Sequence, residues 1–324
     1  MASMNPNYTA GEYQPTVIME NEGESNLKSL SQLEIYWRRF RTHKLAVGGI
    51  VVFGLLVLMA IFAPLFTPGI TPINLNIQFG FGNHGPTLEN FPWRIFGLTS
   101  PDDGDRSVLA EVTYGARISL FIGIVSAVLT TLIGTIVGAI SGYFLGWVDT
   151  LIMRVTDIFL TIPYLPLVIA ITAIYASNQS NIWLLISIFT LTSWAGIARL
   201  VRSSFLSLRE MEFNEAARAV GVNDWRIIFR HLLPNAISPI IVVTTLNVAN
   251  FIVAEATLDF LGLGIRFPPD ASWGNVLSDA QGDLLTGNWW WPLFPGIFLV
   301  LTVLSINFIG DGLRDALDVR SRVD

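Results

Sequence analysis

Glu215-Ala216-Ala217-Arg218-Ala219-Val220-Gly221, followed by His231-Leu232-Leu233-Pro234-Asn235, is a polar island between two uncharged segments that are each long enough to cross a bilayer. A helix-forming run that stops at a glycine, restarts after Asn223-Asp224 and ends at a proline reads as two short helices joined by a tight turn. The island therefore belongs outside the membrane, where something must grip it, and the segments on either side belong within.

Composition points the same way. Of 324 residues, 52% are hydrophobic and 14% charged, and the mean hydropathy is +0.55, more apolar surface than a soluble domain buries. A net charge of −6 argues against a nucleic-acid partner, because phosphate binding needs a basic face. With no cysteine in the sequence, disulfides, thiolate metal sites and thiol nucleophiles are excluded.

Residues 1–29 are polar, lack the basic start and apolar core of a cleaved signal peptide, and read as a disordered cytoplasmic tail. Over 30–44, Leu30, Leu33, Trp37 and Phe40 recur at helical spacing beside Arg38, Arg39, Arg41 and Lys44, the pattern of an amphipathic helix in the headgroup layer. Six spans are expected to follow, since about 20 apolar residues cross the hydrocarbon core. Residues 45–66 form the first, and 118–148 contain the second. Asp157 opens the third, and the run from Ile158 to Ala198 folds back at Ser177-Asn178-Gln179-Ser180-Asn181 into the third and fourth. The fifth covers 232–254 and the sixth lies in 284–310. This divides the chain into an outer connection at 67–117, a core at 118–314 carrying the loop 211–235, and a tail at 315–324.

With the N-terminus in the cytoplasm, fifteen lysines and arginines lie inside and four, Arg94, Arg106, Arg117 and Arg266, outside. The positive-inside rule then puts both termini and the Glu215 loop in the cytoplasm. The expected fold is an all-α polytopic membrane protein.

Gly134, Gly138, Gly142 and Gly146 fall every four residues, which bares one helix face for a neighbour in this subunit or across an interface. Pro163, Pro166 and Pro239 are expected to break backbone hydrogen bonds and bend their helices. Charges near membrane depth are functional candidates because leaving water is expensive: Asp157, Arg199, Glu255, Asp259 and Asp311. Asp157, Arg199 and Asp311 lie near span ends, where snorkelling or capping is the alternative reading and suffices for each. Glu255 and Asp259, four apart on one face, border either a substrate path or an exposed rim, and with Asp157 they are the candidates for a path or gate. Trp273, Trp289, Trp290 and Trp291 suit an aromatic belt, or stacking on sugars.

Reactive chemistry is missing. The sequence has no His-Glu-x-x-His and no Gly-x-Ser-x-Gly, and His43, His84 and His231 lie in separate segments. The only lysines, Lys28 and Lys44, are in no phosphate-binding Gly-Lys-Ser/Thr loop, so ATP used here must be bound by another chain. A secondary transporter or channel needs a midplane ion site or an internal repeat, and neither is visible.

The spacing Glu-Ala-Ala, three residues, Gly, then Leu-Pro twelve residues after the glycine resembles the EAA loop of bacterial ABC importer permeases. Tyr114-Gly115-Ala116-Arg117-Ile118-Ser119-Leu120, Asp259-Phe260-Leu261-Gly262-Leu263-Gly264, Ser272-Trp273-Gly274 and Gly310-Asp311-Gly312-Leu313-Arg314-Asp315-Ala316-Leu317-Asp318 extend it. Over residues 30–322 the chain resembles the C-type permease subunit of dipeptide, oligopeptide and nickel importers. The resemblance implies a type I importer fold in a bacterial or archaeal plasma membrane, with lipid around it. It also implies a homologous B-type permease, two cytoplasmic ATPases that bind ATP and Mg, and an extracytoplasmic binding protein delivering peptides, oligosaccharides or nickel. ATPase coupling would fall to Glu215, Ala216, Ala217, Gly221, Val222 and Asp224, where alanine permits close packing, glycine the turn, and glutamate suits a helix start. Two segments depart from the family pattern: Gly97-Leu98-Thr99-Ser100-Pro101-Asp102-Asp103-Gly104-Asp105-Arg106-Ser107 before the second span, and Asp318-Val319-Arg320 at the tail.

Overall fold

A computed structural model describes residues 32–67, 85–88, 94–99, 106–175, 181–266, 270–285 and 287–317, and among these it is helical with a single isolated β-bridge. The tail at 1–29, the turn residues Ser177 to Ser180, the acidic stretch Asp102-Asp103 and the residues from Asp318 onward lie outside the described residues.

Helix α1 (Gln32–Thr42) is followed by α2 (Lys44–Ile61), whose first turn is capped by His43, with Nδ1 accepting from the Ala46 N–H at 3.1 Å. Phe40 is buried with Ala46 and Ala316 and so faces protein, whereas Trp37 is exposed. A short turn, α3 (Ala63–Phe66), ends the first span.

The outer connection ends ten residues earlier than its sequence predicts. Helix α4 (Val108–Phe144) starts at Ser107, whose hydroxyl caps the Ala110 N–H. Leu98 and Ser107 form the bridge, the Val108 N–H donates to the Gly97 carbonyl at 3.2 Å, and Gly97 has φ +85°. The charges of Glu111 and Arg117 conceal this start in sequence. Glu111 is buried in the helix because Arg106 Nε lies 2.9 Å from one of its oxygens and Trp291 Nε1 donates to the other at 2.8 Å. At 37 residues α4 is about 55 Å long, well beyond the hydrocarbon thickness, and it packs along α2 and two later helices as the spine of the bundle.

At Leu145-Gly146 both residues take positive φ, +50° and +64°, and the chain turns into α5 (Gly146–Thr161). Gly146 therefore makes a turn, with nothing within 4 Å of a Cβ placed there, and is not part of the packing stripe. The next break corrects the third span. It does not open at Asp157, which lies in α5; α5 and α6 (Tyr164–Tyr175) are a pair bent by 83°. The uncharged run hides this break, because Pro163 lacks a donor and drives Ile162 to extended backbone, φ −80° and ψ 127°. Pro166 sits in the first turn of α6, where its missing N–H leaves no bond unmade.

Asn181 caps α7 (Ile182–Arg209), accepting from the Trp183 N–H at 2.9 Å. Against this helix the glycine stripe finds its partner. A Cβ on Gly134 would lie 2.7 Å from Ile197 Cβ, one on Gly138 2.4 Å from the Ala198 carbonyl, and one on Gly142 2.7 Å from Phe205 Cβ. The stripe is a seam within the subunit.

The loop helix α8 (Glu212–Ala219) leads to α9 (Asp224–Ile227), and from there the helix does not stop at Pro234. It widens into a π-turn over Ile228–Leu232 and continues as α10 (Leu233–Phe260), running through Pro239 uninterrupted. The wider turn lets the Leu233 N–H reach the Ile228 carbonyl, and Asn235 Nδ2 donates to the His231 carbonyl at 2.6 Å. Helix α11 (Trp273–Asp279) lies across the far end of the bundle, and α12 (Trp290–Leu317) returns along α2 and α10. Among the described residues five helices are long and apolar enough to cross a membrane, six spans if the bent pair is one. Leucines and isoleucines such as Leu55, Leu58, Leu132 and Ile136 are exposed, as lipid contact requires.

Candidate coupling loop and transport path

Helix α8 is held from beneath. Asn214 is buried, and its Nδ2 donates to the Arg209 carbonyl at 2.7 Å, fixing α8 to the end of α7. At its other end Val220 is followed by Gly221 at φ +75°, with the Gly221 N–H on the Arg218 carbonyl at 2.9 Å and the Val222 N–H on the Ala217 carbonyl at 3.1 Å. This is a Schellman ending, and its apolar pair, Ala217 and Val222, packs on the cluster of Phe205, Ile227, Ile228 and Leu232. Asn223 then accepts from the Trp225 N–H at 2.9 Å and starts α9.

The loop is also tied to the spine. Tyr143, near the end of α4, donates its hydroxyl to Asp224, and the Arg218 guanidinium lies 5.1 Å over the Tyr143 ring. One turn away Arg202 grips Asp149 with Nε and one terminal nitrogen, and Ser141 donates to the same carboxylate. The ends of α4 and α7 and the start of α5 are thus tied together at one corner, from which α8 projects. Its outer side is exposed: Glu215, Ala216, Met211, Phe213 and Val220 are all open to solvent. An exposed apolar edge rimmed by Glu212, Glu215 and Arg218 suits a protein partner.

Of the residues predicted for coupling, Glu215 and Ala216 lie on that outer side, Ala217 and Val222 anchor it, Gly221 turns it and Asp224 bolts it to Tyr143. Tyr143 and Asn214 were invisible in sequence, because each acts through a contact with a distant or backbone partner.

The acidic pair of α10 is buried. Glu255 and Asp259 are 0% and 2% exposed, so neither borders an open rim or the cleft described below. Asp259 accepts from the Ile265 N–H at 2.7 Å and from the Ser272 hydroxyl, and the Trp273 N–H donates to Ser119 Oγ at 3.3 Å. Cβ atoms on Gly115, Gly264 and Gly274 would lie 3.1 Å from the Ser272 carbonyl carbon, inside Asp259, and 2.6 Å from Ala256. Three separate motifs therefore converge in one knot that clamps α11 onto α4 and α10. Trp273 and Trp291 are fully buried there, with the Trp273 indole donating to the Val112 carbonyl at 3.0 Å, so these two are core anchors and not a belt or sugar platform. Asp157 pairs with Arg199 on the surface.

A cleft of about 550 Å³ opens instead at the Ile162-Pro163 break, between α5, α6, α7 and α10, with Asn247, Asn250 and Thr257 on one side.

Residues 134–323 match the family described as "Binding-protein-dependent transport system inner membrane component", and residues 31–86 match "N-terminal TM domain of oligopeptide transport permease C". The chain is 38% identical over 294 residues to the "Dipeptide transport system permease protein DppC" of Bacillus subtilis (strain 168), covering 91% of this chain and 88% of that one. It is 36% identical over 288 residues to the "Glutathione transport system permease protein GsiD" of Pectobacterium atrosepticum, covering 87% and 89%. Among solved structures, a chain of the MetNI methionine ABC transporter in inward-facing conformations superposes with a TM-score of 0.51 at 21% identity, over 64% of this chain and 96% of that one. That likeness is one of fold.

Proposed function

The chain belongs to the binding-protein-dependent transport system inner membrane component family and is the permease subunit of an ABC importer, and from that premise we propose that it carries di- or oligopeptides across the plasma membrane. The family works with ATPase subunits and a binding protein. For this chain the partners are a homologous second permease, two cytoplasmic ATPases supplying ATP and Mg chemistry, and an extracytoplasmic receptor. The names of the relatives quoted above, which carry a dipeptide and glutathione, favour peptides over nickel or sugars.

The carrying observation is the Schellman turn at Gly221, which holds α8 proud of the corner where α4, α5 and α7 meet. There Glu215, Ala216 and the apolar edge seat in an ATPase cleft; closure of the ATPases on ATP moves α8, and the corner of α4, α7 and α5 passes the motion to the spans. Alternating access follows.

Two expected results check this reading. Because the native chain has no cysteine, single cysteines report sidedness: Leu285→Cys, in a residue 95% exposed, reacts with impermeant thiol reagents on intact cells, whereas Asn223→Cys reacts only after the membrane is opened. Labelling of Asn223→Cys in intact cells overturns the orientation. The chain alone neither binds nor hydrolyses ATP, and it co-purifies with a second permease and two ATPases; purification as a stable lone permease with no ATPase overturns the assembly.

A further inference from the structure

Asn247 and Asn250 stand one turn apart in α10. Asn247 is thirteen residues from Pro234 and thirteen from Phe260, so it lies about 20 Å from either, well inside the membrane-spanning stretch Asp224–Phe260. Asn250 is exposed and Asn247 half-exposed, and the Asn250 amide nitrogen lies 3.5 Å from Asn247 Oδ1, so the pair's other amide hydrogens and oxygen remain available. Hydrocarbon offers such groups nothing; polar side chains at this depth face the bundle interior or water.

A second, independent feature faces the same space. The chain breaks at Ile162-Pro163 within an uncharged run, turning by 83°. Non-helical backbone at membrane depth persists only where protein buries it or water reaches it. Break and amide pair line one cleft of about 550 Å³, with Thr192, Ser193 and Gly196 of α7 behind them. Nothing lies within 4 Å of a Cβ placed on Gly196, so the glycine leaves room in the cleft. The acidic pair of α10, by contrast, is turned into the bundle.

We propose that this cleft is the subunit's wall of the transport path, and that Asn247 and Asn250 hold the main chain of an extended peptide in transit. A carboxamide offers donor and acceptor together and no charge. It matches the N–H and C=O of any peptide unit regardless of side chains, and it binds weakly enough to release, as passage through a pathway demands. The volume is that of a small-solute site. The peptide part rests on the function proposed above; the assignment of the wall does not.

The test uses the complete reconstituted complex. Asn250→Cys reacts with a charged, membrane-impermeant methanethiosulfonate about tenfold faster than Leu132→Cys, which is exposed on α4 away from the cleft, because only a thiol in water ionises and reacts. Excess dipeptide slows the first rate and not the second. Replacing both amides, Asn247→Leu with Asn250→Leu, lowers dipeptide uptake about tenfold at unchanged abundance of the complex, the loss of roughly one hydrogen bond in transit. Equal, slow reaction of the two cysteines overturns the wall, and wild-type uptake by the double variant overturns the amide role. A wild-type complex that imports no peptide removes the peptide assignment, while the two cysteine rates still decide the wall.

Discussion

Gly221→Val yields a complex of near-normal abundance whose peptide uptake falls about tenfold or more and whose ATPase no longer responds to the loaded binding protein. The reason is backbone alone. Gly221 holds φ +75°, and nothing lies within 4 Å of a Cβ built on it, so a side chain meets no clash. What valine meets is left-handed backbone that a β-branched residue resists, at about 1 to 3 kcal/mol. That is small against the burial of a whole helical bundle. It matches the 1 to 3 kcal/mol typical of coupling between two sites, and about 1.4 kcal/mol is a factor of ten. Strain at this turn loosens the Gly221 and Val222 hydrogen bonds that end α8, and the helix no longer follows the ATPases. Gly221→Asn separates the cause, because asparagine tolerates left-handed backbone; it keeps most of the uptake. Equal loss in both variants would mean that the glycine matters for contact rather than conformation. Measurements of uptake and of stimulated ATPase on the reconstituted complex decide between them.

That turn was legible in sequence because the information is local: a helix-forming run, a glycine and an asparagine cap lie within ten residues. The long apolar spans were legible for a similar reason, since hydropathy sums over a window and needs no partner. Local reading failed where a partner cancels a charge or a bond. Glu111 reads as a loop residue, but Arg106 and Trp291 satisfy its two oxygens within a helix, and the exposed rim that Glu255 and Asp259 allow is closed because Ser272 and the Ile265 N–H cover Asp259. It failed also where proline has two outcomes. At Pro163 the helix breaks, while at Pro234 it continues from a π-turn, and composition does not distinguish the two. Asn247 and Asn250 passed as ordinary members of an apolar helix because their meaning depends on depth and on the neighbouring break.

The glycine stripe is the converse case, where the pattern was visible and only its partner was missing, and it yields the second large effect. Gly138→Leu abolishes accumulation of the folded subunit, while Gly48→Leu in α2, which has nothing within 4 Å of its Cβ, leaves abundance unchanged. A Cβ at residue 138 would stand 2.4 Å from the Ala198 carbonyl oxygen and 2.8 Å from Val201 Cβ. Both obstacles are fixed, one being backbone and the other the branch point of a side chain. Relief therefore requires α4 and α7 to move apart by about 1 Å, the gap between such a contact and ordinary van der Waals distance. Helices move as rods, so Gly134 and Gly142 lose their fit at the same time, and the overpacking cost of about 1 to 3 kcal/mol at one site is multiplied along the seam. In lipid no hydrophobic force between helices compensates, since association there rests on packing and hydrogen bonds. The Arg202–Asp149 grip and the Tyr143–Asp224 bolt sit at the Gly142 end of the same seam and would part with it. Membrane abundance and thermal stability of the complex, measured for both leucine variants side by side, test this. Equal behaviour of the two would show that α4 and α7 are not held by their bare face.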